Sequence, residues 1–312
     1  MSTKKNESYK KVEKILDDYL ITEQSYDRIL NSMCTPPPSF TREIASKFAE
    51  INLGDPGNFP KTAQIEQELL EYVAQLLHAP SHWAGTVTSG GSESNLLGCW
   101  AARKWGKAKK GITHGEIILP SSAHVSFIKA LDILSLKAKW IPVTNDQTID
   151  IETVKENISS QTVGIIGIAG NTGAGACDDI AALNDLAIDY NCFLHVDAAF
   201  GGFIYPFLER FNRSSPVFDF RLPGVQSITI DEHKLLSSLI PCGTLLFRNG
   251  EIFHLIEKPI TYLADENCLQ ATITGTRPGA PVIASWLLLK YLGTDYLENK
   301  IEYCLSLTDY TL

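Results

Sequence analysis

Apolar positions along the chain fall into three regimes. Between residues 8 and 31 they recur at Val12, Ile15, Leu16, Tyr19, Leu20 and Ile21, a spacing near 3.6 that predicts an amphipathic helix running into the prolines of CTPPPS. Past the loop NLGDPGNFPKT a second helix is predicted over about 63–78, with Ile65, Leu69, Tyr72, Val73, Leu76 and Leu77 on one side. From residue 84 the period changes. GTVTSGGSESN leads into a helical pattern, NLLGCWAARKWGKA, and the short runs EIILP, KAKWIPV, TVGIIGIAG (apolar on both faces), CFLHV, QSITI and GTLLFR are interleaved with further helical patterns near 124–134 and at DDIAALNDLAIDYN. Strands buried on both faces and separated by helices predict an α/β protein with a mostly parallel central sheet between helices. A ligand is then expected at the C-terminal ends of the strands. After residue 255 the pattern turns polar and glycine-bearing, PVIASWLLLKYLG predicts a helix stopped by Gly293, and ENKIEYCLSLTDYTL begins another helical pattern.

Composition narrows the class. The chain has 312 residues, 44% of them hydrophobic, enough for a large core. Its 36 acidic and 27 basic residues give a formal charge of -9 with no long block of either sign, which argues against nucleic acid as a partner. KKNESYKK and RKWGKAKK are the basic concentrations, and each reads as a solvated helix face or tail. The seven cysteines form no CxxC pair, which removes support for a zinc knuckle or redox dithiol and favours a reducing compartment. No signal-peptide core and no 18-residue apolar run is present, so a cytoplasmic protein away from membranes is expected.

Four strand-end loops carry more polar residues than turns need. SGGSESN places two glycines and a serine before a helix, where backbone N–H groups suit a phosphate; a plain turn with an N-cap explains it as well. Neither GxGxxG nor a following Walker lysine is present. HVDAAFGG ends a buried strand with Asp197, a carboxylate that needs a donor or cationic partner. Alternation sends His195 and Asp197 to one side without a third ligand nearby in sequence, so no metal site is expected. In VQSITIDEHK, Lys234 follows a strand. At a dry strand end a lysine loses the stabilisation of its charge and becomes a nucleophile able to form a Schiff base; taken in isolation, an exposed turn lysine is the simpler reading.

Together, a phosphate-ready helix start, the histidine of SSAHVS, a strand-end carboxylate and a later lysine make up the inventory that holds pyridoxal phosphate. Five motifs in order, TSGGSESN, SSAHVSFIKA, GNTGAGACDDI, LHVDAAFGGF and SITIDEHK, supported by ITGTRPGA, make the chain from about Asn52 to Gly293 resemble the pyridoxal-phosphate-dependent group II amino-acid decarboxylases. The closest likeness is to the archaeal and microbial tyrosine/aspartate decarboxylase branch.

The resemblance implies the fold-type I pyridoxal-phosphate-dependent transferase-like fold, a homodimer with sites at the subunit interface, an amino-acid substrate and decarboxylation to an amine and carbon dioxide. It implies a helical arm and loop over 1–60, a cofactor-binding α/β domain over 61–255, and an interface loop, long helix and truncated C-terminal segment over 256–312. Lys234 is implied as the Schiff-base lysine, Asp197 as partner of the pyridine nitrogen, His124 as the ring-stacking histidine and Ala199 as the small residue under the other face. Gly91 and Ser92 match the phosphate turn, Asp231 and His233 flank the phosphate side of the lysine loop, and Thr172 and Asp178 contact or support the cofactor. Thr276 matches a phosphate contact delivered from the partner subunit, with Arg277 holding its loop. Two departures stand out: Glu232 replaces the proline of the family's DPHK, and Ala174 stands where a threonine is usual. A related carbon–carbon lyase, or a cofactor-binding scaffold without turnover, are the alternatives.

Overall fold

A computed structural model of the chain describes residues 3–24, 26–29, 34–265 and 268–311. The apolar runs are the strands of one sheet: β1 (Ala84–Thr88), β2 (Glu116–Pro120), β3 (Lys137–Ile141), β4 (Thr162–Ile168), β5 (Phe193–Asp197), β6 (Val225–Ile230) and β7 (Gly243–Phe247). They lie in the order β1-β7-β6-β5-β4-β2-β3. β7 is antiparallel to both β1 and β6, and the other neighbours are parallel. Only β7 therefore runs against the rest, which brings its first residue to the sheet edge where β1, β5 and β6 end.

Helices occupy the intervals: α1 (Thr3–Thr22), α2 (Thr41–Lys47), α3 (Pro60–Leu76), α4 (Gly91–Lys110), α5 (Val125–Ile133), α6 (Ile151–Asn157), α7 (Ile180–Asp189), α8 (Gly250–His254), α9 (Ala280–Leu287) and α10 (Gly293–Thr311). The two-residue period of each strand divides its side chains between two cores. Ile117, Leu119, Ile166, Leu245 and Phe247 pack with Leu97, Phe127 and Ile252 of α4, α5 and α8. Ile118, Ile165, Leu194 and Leu246 point the other way, onto Leu69, Leu183 and Val282 of α3, α7 and α9. This is why the strands read as continuously apolar. Ile44 and Leu53 before the central domain, and Leu288, Leu297 and Ile301 after it, belong to that second core as well.

Local chemistry sets the ends of α4. It stops at Gly111, in the left-handed region at φ +72°, with Lys107, Lys109 and Lys110 in its last turn. The basic stretch RKWGKAKK thus sits against the negative end of the helix dipole, and Lys110 Nζ donates to Thr162 O at 2.8 Å.

One expectation is corrected. The first helix ends at Thr22 rather than near 31, because TEQS after Ile21 offers no apolar residue to extend the stripe; residues 30 and 31 lie outside the described residues. The helix of PVIASWLLLKYLG ends in a π-helical turn (Leu288–Leu292) capped by Gly293 at φ +68°, and α10 begins there as a separate helix. Along α1, Val12, Ile15, Leu16, Tyr19, Leu20 and Ile21 are all more than half exposed. Among the described residues no helix is long and apolar enough to cross a membrane.

Candidate active site

The loops leaving β1, β2, β4, β5 and β6 surround one cavity of about 250 Å³. It is lined by Gly91, Ser92, His124, Thr172, Asp197, Ala199, Asp231, His233 and Lys234, so nine residues singled out from separate motifs meet in one place. Asn95, Ser122 and Asn171 also line it and were not singled out.

The turn after β1 is shaped by contact. Gly90 has φ +116°, and a Cβ there would stand 2.7 Å from His233 Cε1. A Cβ on Gly91 would meet Asp231 Oδ2 at 3.0 Å and Ala199 Cβ at 3.2 Å. The first intrahelical bonds of α4 run from Glu93 and Ser94 N–H to Gly90 O, so the positive helix end opens at Gly91 and Ser92, beside the cavity. Glu93 braces the turn. It accepts from Ser89 N–H at 2.7 Å and from Ile273 N–H at 2.8 Å, joining the turn to the loop before α9. Burial pushes its carboxyl up, but the donors from Ser89, Thr274 and Ile273 outweigh burial and hold it below the ordinary carboxylate value.

Asp197 closes β5 at 6% exposure. Its Oδ1 accepts from Ala199 N–H at 3.1 Å and its Oδ2 from Asn95 Nδ2 at 2.7 Å. These are the donors that burial of a carboxylate requires.

The amine does not stand at a fully dry strand end. Lys234 is 18% exposed and its Nζ lies 3.3 Å from Asp231 Oδ2, so the amine has an acid partner. Asp231 itself is 2% exposed; burial pushes its carboxyl up, with Lys234 and His233 opposing. Its Oδ1 is buried without a hydrogen-bond partner. His233 is anchored to the Cys242 backbone, with Nδ1 2.5 Å from the carbonyl oxygen and 3.2 Å from the amide nitrogen. Glu232, between them, points away into the protein: it is fully buried and accepts from Thr244 Oγ1 at 2.6 Å.

His124 stands at the cavity and at a helix start. It lines the cavity and is also the N-cap of α5, accepting from Ser126 N–H on Nδ1 at 3.2 Å. A neutral ring then carries its proton on Nε2.

Asp178 and Thr276 do not line the cavity. Asp178 accepts from Ile149 N–H at 2.7 Å and Ile168 N–H at 2.8 Å, and burial pushes its carboxyl up to about 6 against those two donors. It fastens the end of β4 and reaches the site only through that support. Thr276 lines a neighbouring hollow with Thr88 and Pro241. Arg277 holds that loop to β1, donating to Val87 O at 2.6 Å and Glu66 Oε1 at 3.1 Å.

Comparison with known proteins decides the family: residues 12–312 match the pyridoxal-dependent decarboxylase conserved domain. The chain belongs to the pyridoxal-dependent decarboxylase family. It is 47% identical over 284 residues to the L-aspartate/L-glutamate decarboxylase of Pyrococcus horikoshii, covering 91% of this chain and 73% of that protein. Among solved structures it resembles the Lactobacillus brevis glutamate decarboxylase with TM-score 0.84 at 25% identity, over 93% of this chain and 69% of that one. It also resembles the Burkholderia pseudomallei sphingosine-1-phosphate lyase with TM-score 0.78 at 29% identity, over 85% of this chain. The chain spans only 62% of that lyase. The fold is that of the fold-type I relatives, and the cofactor of the pyridoxal-dependent decarboxylases is pyridoxal 5'-phosphate.

The donor set suits that cofactor. A helix start at Gly91 and Ser92 offers N–H groups to a phosphate, Asp197 offers an anion to a ring nitrogen, and Lys234 offers an amine to an aldehyde. Ser122 Oγ and Asp231 Oδ1 are buried without partners in the residues around the same cavity, polar atoms that a polar ligand would satisfy. The glycine turn is a direct test of the seat. Gly90→Ala sets a side chain at φ +116° against His233, and cofactor affinity should fall roughly tenfold or more, equivalent to ~1.4 kcal/mol. A spectroscopic titration that finds affinity unchanged would place the phosphate elsewhere.

Proposed function

We propose that this chain decarboxylates an acidic L-amino acid, of the class named for its Pyrococcus relative, to an amine and carbon dioxide with pyridoxal phosphate held by Lys234. The observation that carries the reading is one cavity bordered by an amine at the end of β6, a doubly hydrogen-bonded carboxylate at the end of β5 and a helix start after β1. When bound, the cofactor supplies an electron sink for the pair left on the substrate carbon as carbon dioxide departs.

The chain's own residues do the rest. Gly91 and Ser92 receive the phosphate on backbone N–H groups at the positive end of α4. Asp197 holds a proton on the ring nitrogen by its negative charge, electrostatic work done best where the carboxylate is already oriented. His124 would pack against the cofactor ring with Nε2–H as a donor, and the small Ala199 would leave room for that ring. Lys234 Nζ binds the cofactor and is placed to return a proton to the substrate carbon. Asp231, His233 and Thr172 border the phosphate side and the mouth, and Asp178 supports the loop after β4. Thr276 reaches the cavity of a second subunit, and the exposed apolar stripe of α1 suits burial in such a homodimer. A large unpartnered apolar face is otherwise costly in water. The reaction is placed in the cytoplasm, where reduced cysteines persist; no disulfide joins the described cysteines.

The lyase-like neighbour raises the alternative of carbon–carbon cleavage on a phosphorylated amino alcohol. Such a substrate needs its own cationic seat, and Lys234 is the one lysine or arginine among the described residues lining the cavity. Decarboxylation is therefore the better-supported reading. The test is amine and carbon dioxide release from L-aspartate, L-glutamate and L-tyrosine by the cofactor-loaded protein. An acidic substrate should give both products in equal amounts; cofactor binding with neither product from any of the three would overturn the assignment.

A further inference from the structure

From Asn95, at the wall of the cavity beside Asp197, a buried polar chain runs into the protein that the reaction as described does not use. Asn95, on the second turn of α4, is 1% exposed. Its Nδ2 donates to Asp197 Oδ2 at 2.7 Å and to Ser126 Oγ at 3.1 Å, and its Oδ1 lies 3.2 Å from His195 Nε2. His195 is fully buried, with Nδ1 2.8 Å from Ser227 Oγ and Nε2 3.4 Å from Thr229 Oγ1.

We infer that Asn95 is a positioning residue for Asp197, and that His195, as the neutral tautomer protonated on Nε2, fixes which way the Asn95 amide faces. The inference rests on the reading of Asp197 as partner of the ring nitrogen.

The direction of each bond follows from what each atom is able to do. An amide has two N–H donors and one acceptor oxygen. Turned over, Asn95 would place Oδ1 at hydrogen-bond distance from the Asp197 carboxylate, two acceptors facing each other without water between them. With the amide as found, Oδ1 only accepts, so His195 Nε2 must donate. A neutral ring then leaves Nδ1 as an acceptor for the Ser227 hydroxyl. Burial pushes His195 down to about 4, with the Asp197 charge opposing, so the ring is neutral at ordinary pH. Donation therefore runs one way, from Ser227 to His195 to Asn95 to Asp197, and ends with an N–H aimed at Oδ2.

Packing locks the ring in this state. A Cβ at Gly98 would stand 2.6 Å from both Cε1 and Nδ1 of His195, so the imidazole lies against α4 only because that helix carries glycine there. Phe127 meets it edge-on, with centroids 6.2 Å apart at 67°. Glycine inside a helix costs about 1 kcal/mol relative to alanine, and room for the imidazole is the structural counterpart at this position. The consequence for Asp197 is a fixed carboxylate plane: Ala199 N–H holds Oδ1, Asn95 holds Oδ2, and the charge stays aimed at the ring nitrogen.

Two measurements decide it. Imidazole nitrogen NMR on uniformly 15N-labelled protein, with His195 identified by the signal lost in His195→Gln, should show a neutral ring protonated on Nε2 both without cofactor and with it. A ring protonated on Nδ1, or on both nitrogens near neutral pH, would overturn the inference. In Asn95→Leu loaded with 15N-labelled pyridoxal phosphate, the ring nitrogen should lose proton occupancy. kcat should fall roughly tenfold to a hundredfold, the worth of a hydrogen bond to a charged group, while the peptide bearing Lys234 is still labelled on borohydride reduction. An unchanged nitrogen shift and kcat in that variant would equally overturn it. If the wild-type protein binds no cofactor at Lys234, it is the functional reading that fails, and the tautomer measured without cofactor still decides the relay. If Asn95→Leu does not fold, the wild-type tautomer carries the decision.

Discussion

Lys234→Ala should abolish cofactor attachment that survives dialysis and lower turnover by roughly a thousandfold or more, since one residue supplies both the tether and a positioned proton carrier. The fold should change little. Lys234 is 18% exposed at a turn, and its recorded side-chain partner is Asp231. Losing the amine removes Lys234 from the groups that oppose burial at Asp231, so that carboxyl is pushed further up. Lys234→Arg separates the two functions: it keeps a cation beside Asp231 but offers no amine that condenses with an aldehyde. Both variants should melt near the wild-type temperature without cofactor, and neither should yield a borohydride-labelled peptide. Wild-type turnover in either, or a label on another lysine, would remove Lys234 from its assigned role.

Glu232→Gln should flatten the pH dependence of stability. Burial pushes the Glu232 carboxyl from 4.5 up to about 8, against the opposing Thr244 hydroxyl. The sign follows from proton counting. Between those values the folded chain keeps a proton that the unfolded chain releases, so stability falls as pH rises through this window and levels off above about 8. A shift of that size corresponds to on the order of 5 kcal/mol across the window. Gln keeps the shape and an oxygen for Thr244 Oγ1, and it does not ionise. Asp178 and Asp231 are pushed up by burial too and bend the wild-type curve the same way. The comparison is therefore the wild-type minus variant difference in urea midpoints at pH 5.5 and pH 8.5. The variant should gain relative stability at the higher pH; equal differences at both would mean that Glu232 is ionised in the folded protein.

Much of this was legible in the sequence, for identifiable reasons. The central strands were legible as apolar runs, because both faces of the sheet are buried there and a run such as TVGIIGI must feed two cores at once; the edge strand β3, KAKWI, is largely exposed and carries two lysines. Strand direction was not legible, since a period of two is the same read either way, and so the reversal of β7 could not be seen. The cavity residues stood out because they follow strands in polar, glycine-bearing loops. Asn95 did not. It sits inside SGGSESN but 102 residues from Asp197, on a helix where asparagine gives no sign of its partner. Gly98, a helix-interior glycine one turn later, was the available clue that something packs there. Asp178 was implied as a residue contacting or supporting the cofactor by the resemblance of GNTGAGACDDI, yet one acid of the pair fastens β4 and the other, Asp179, caps α7 by accepting from Ala182 N–H at 2.9 Å.

The reversed strand also sets a schedule for making the protein. β1 is at the sheet edge and pairs only with β7, and its last residue, Thr88, meets Gly243, 155 residues further along the chain. At ribosomal rates of about 5–20 residues per second, β1 emerges roughly eight to thirty seconds before its partner. For that interval GTVT is an unsatisfied strand edge, open to pairing with a neighbouring nascent chain. The glycine turn behind it has neither His233 nor Asp231 to pack against. Cofactor capture is thus a late event in biogenesis, one that waits for the insertion of a single strand.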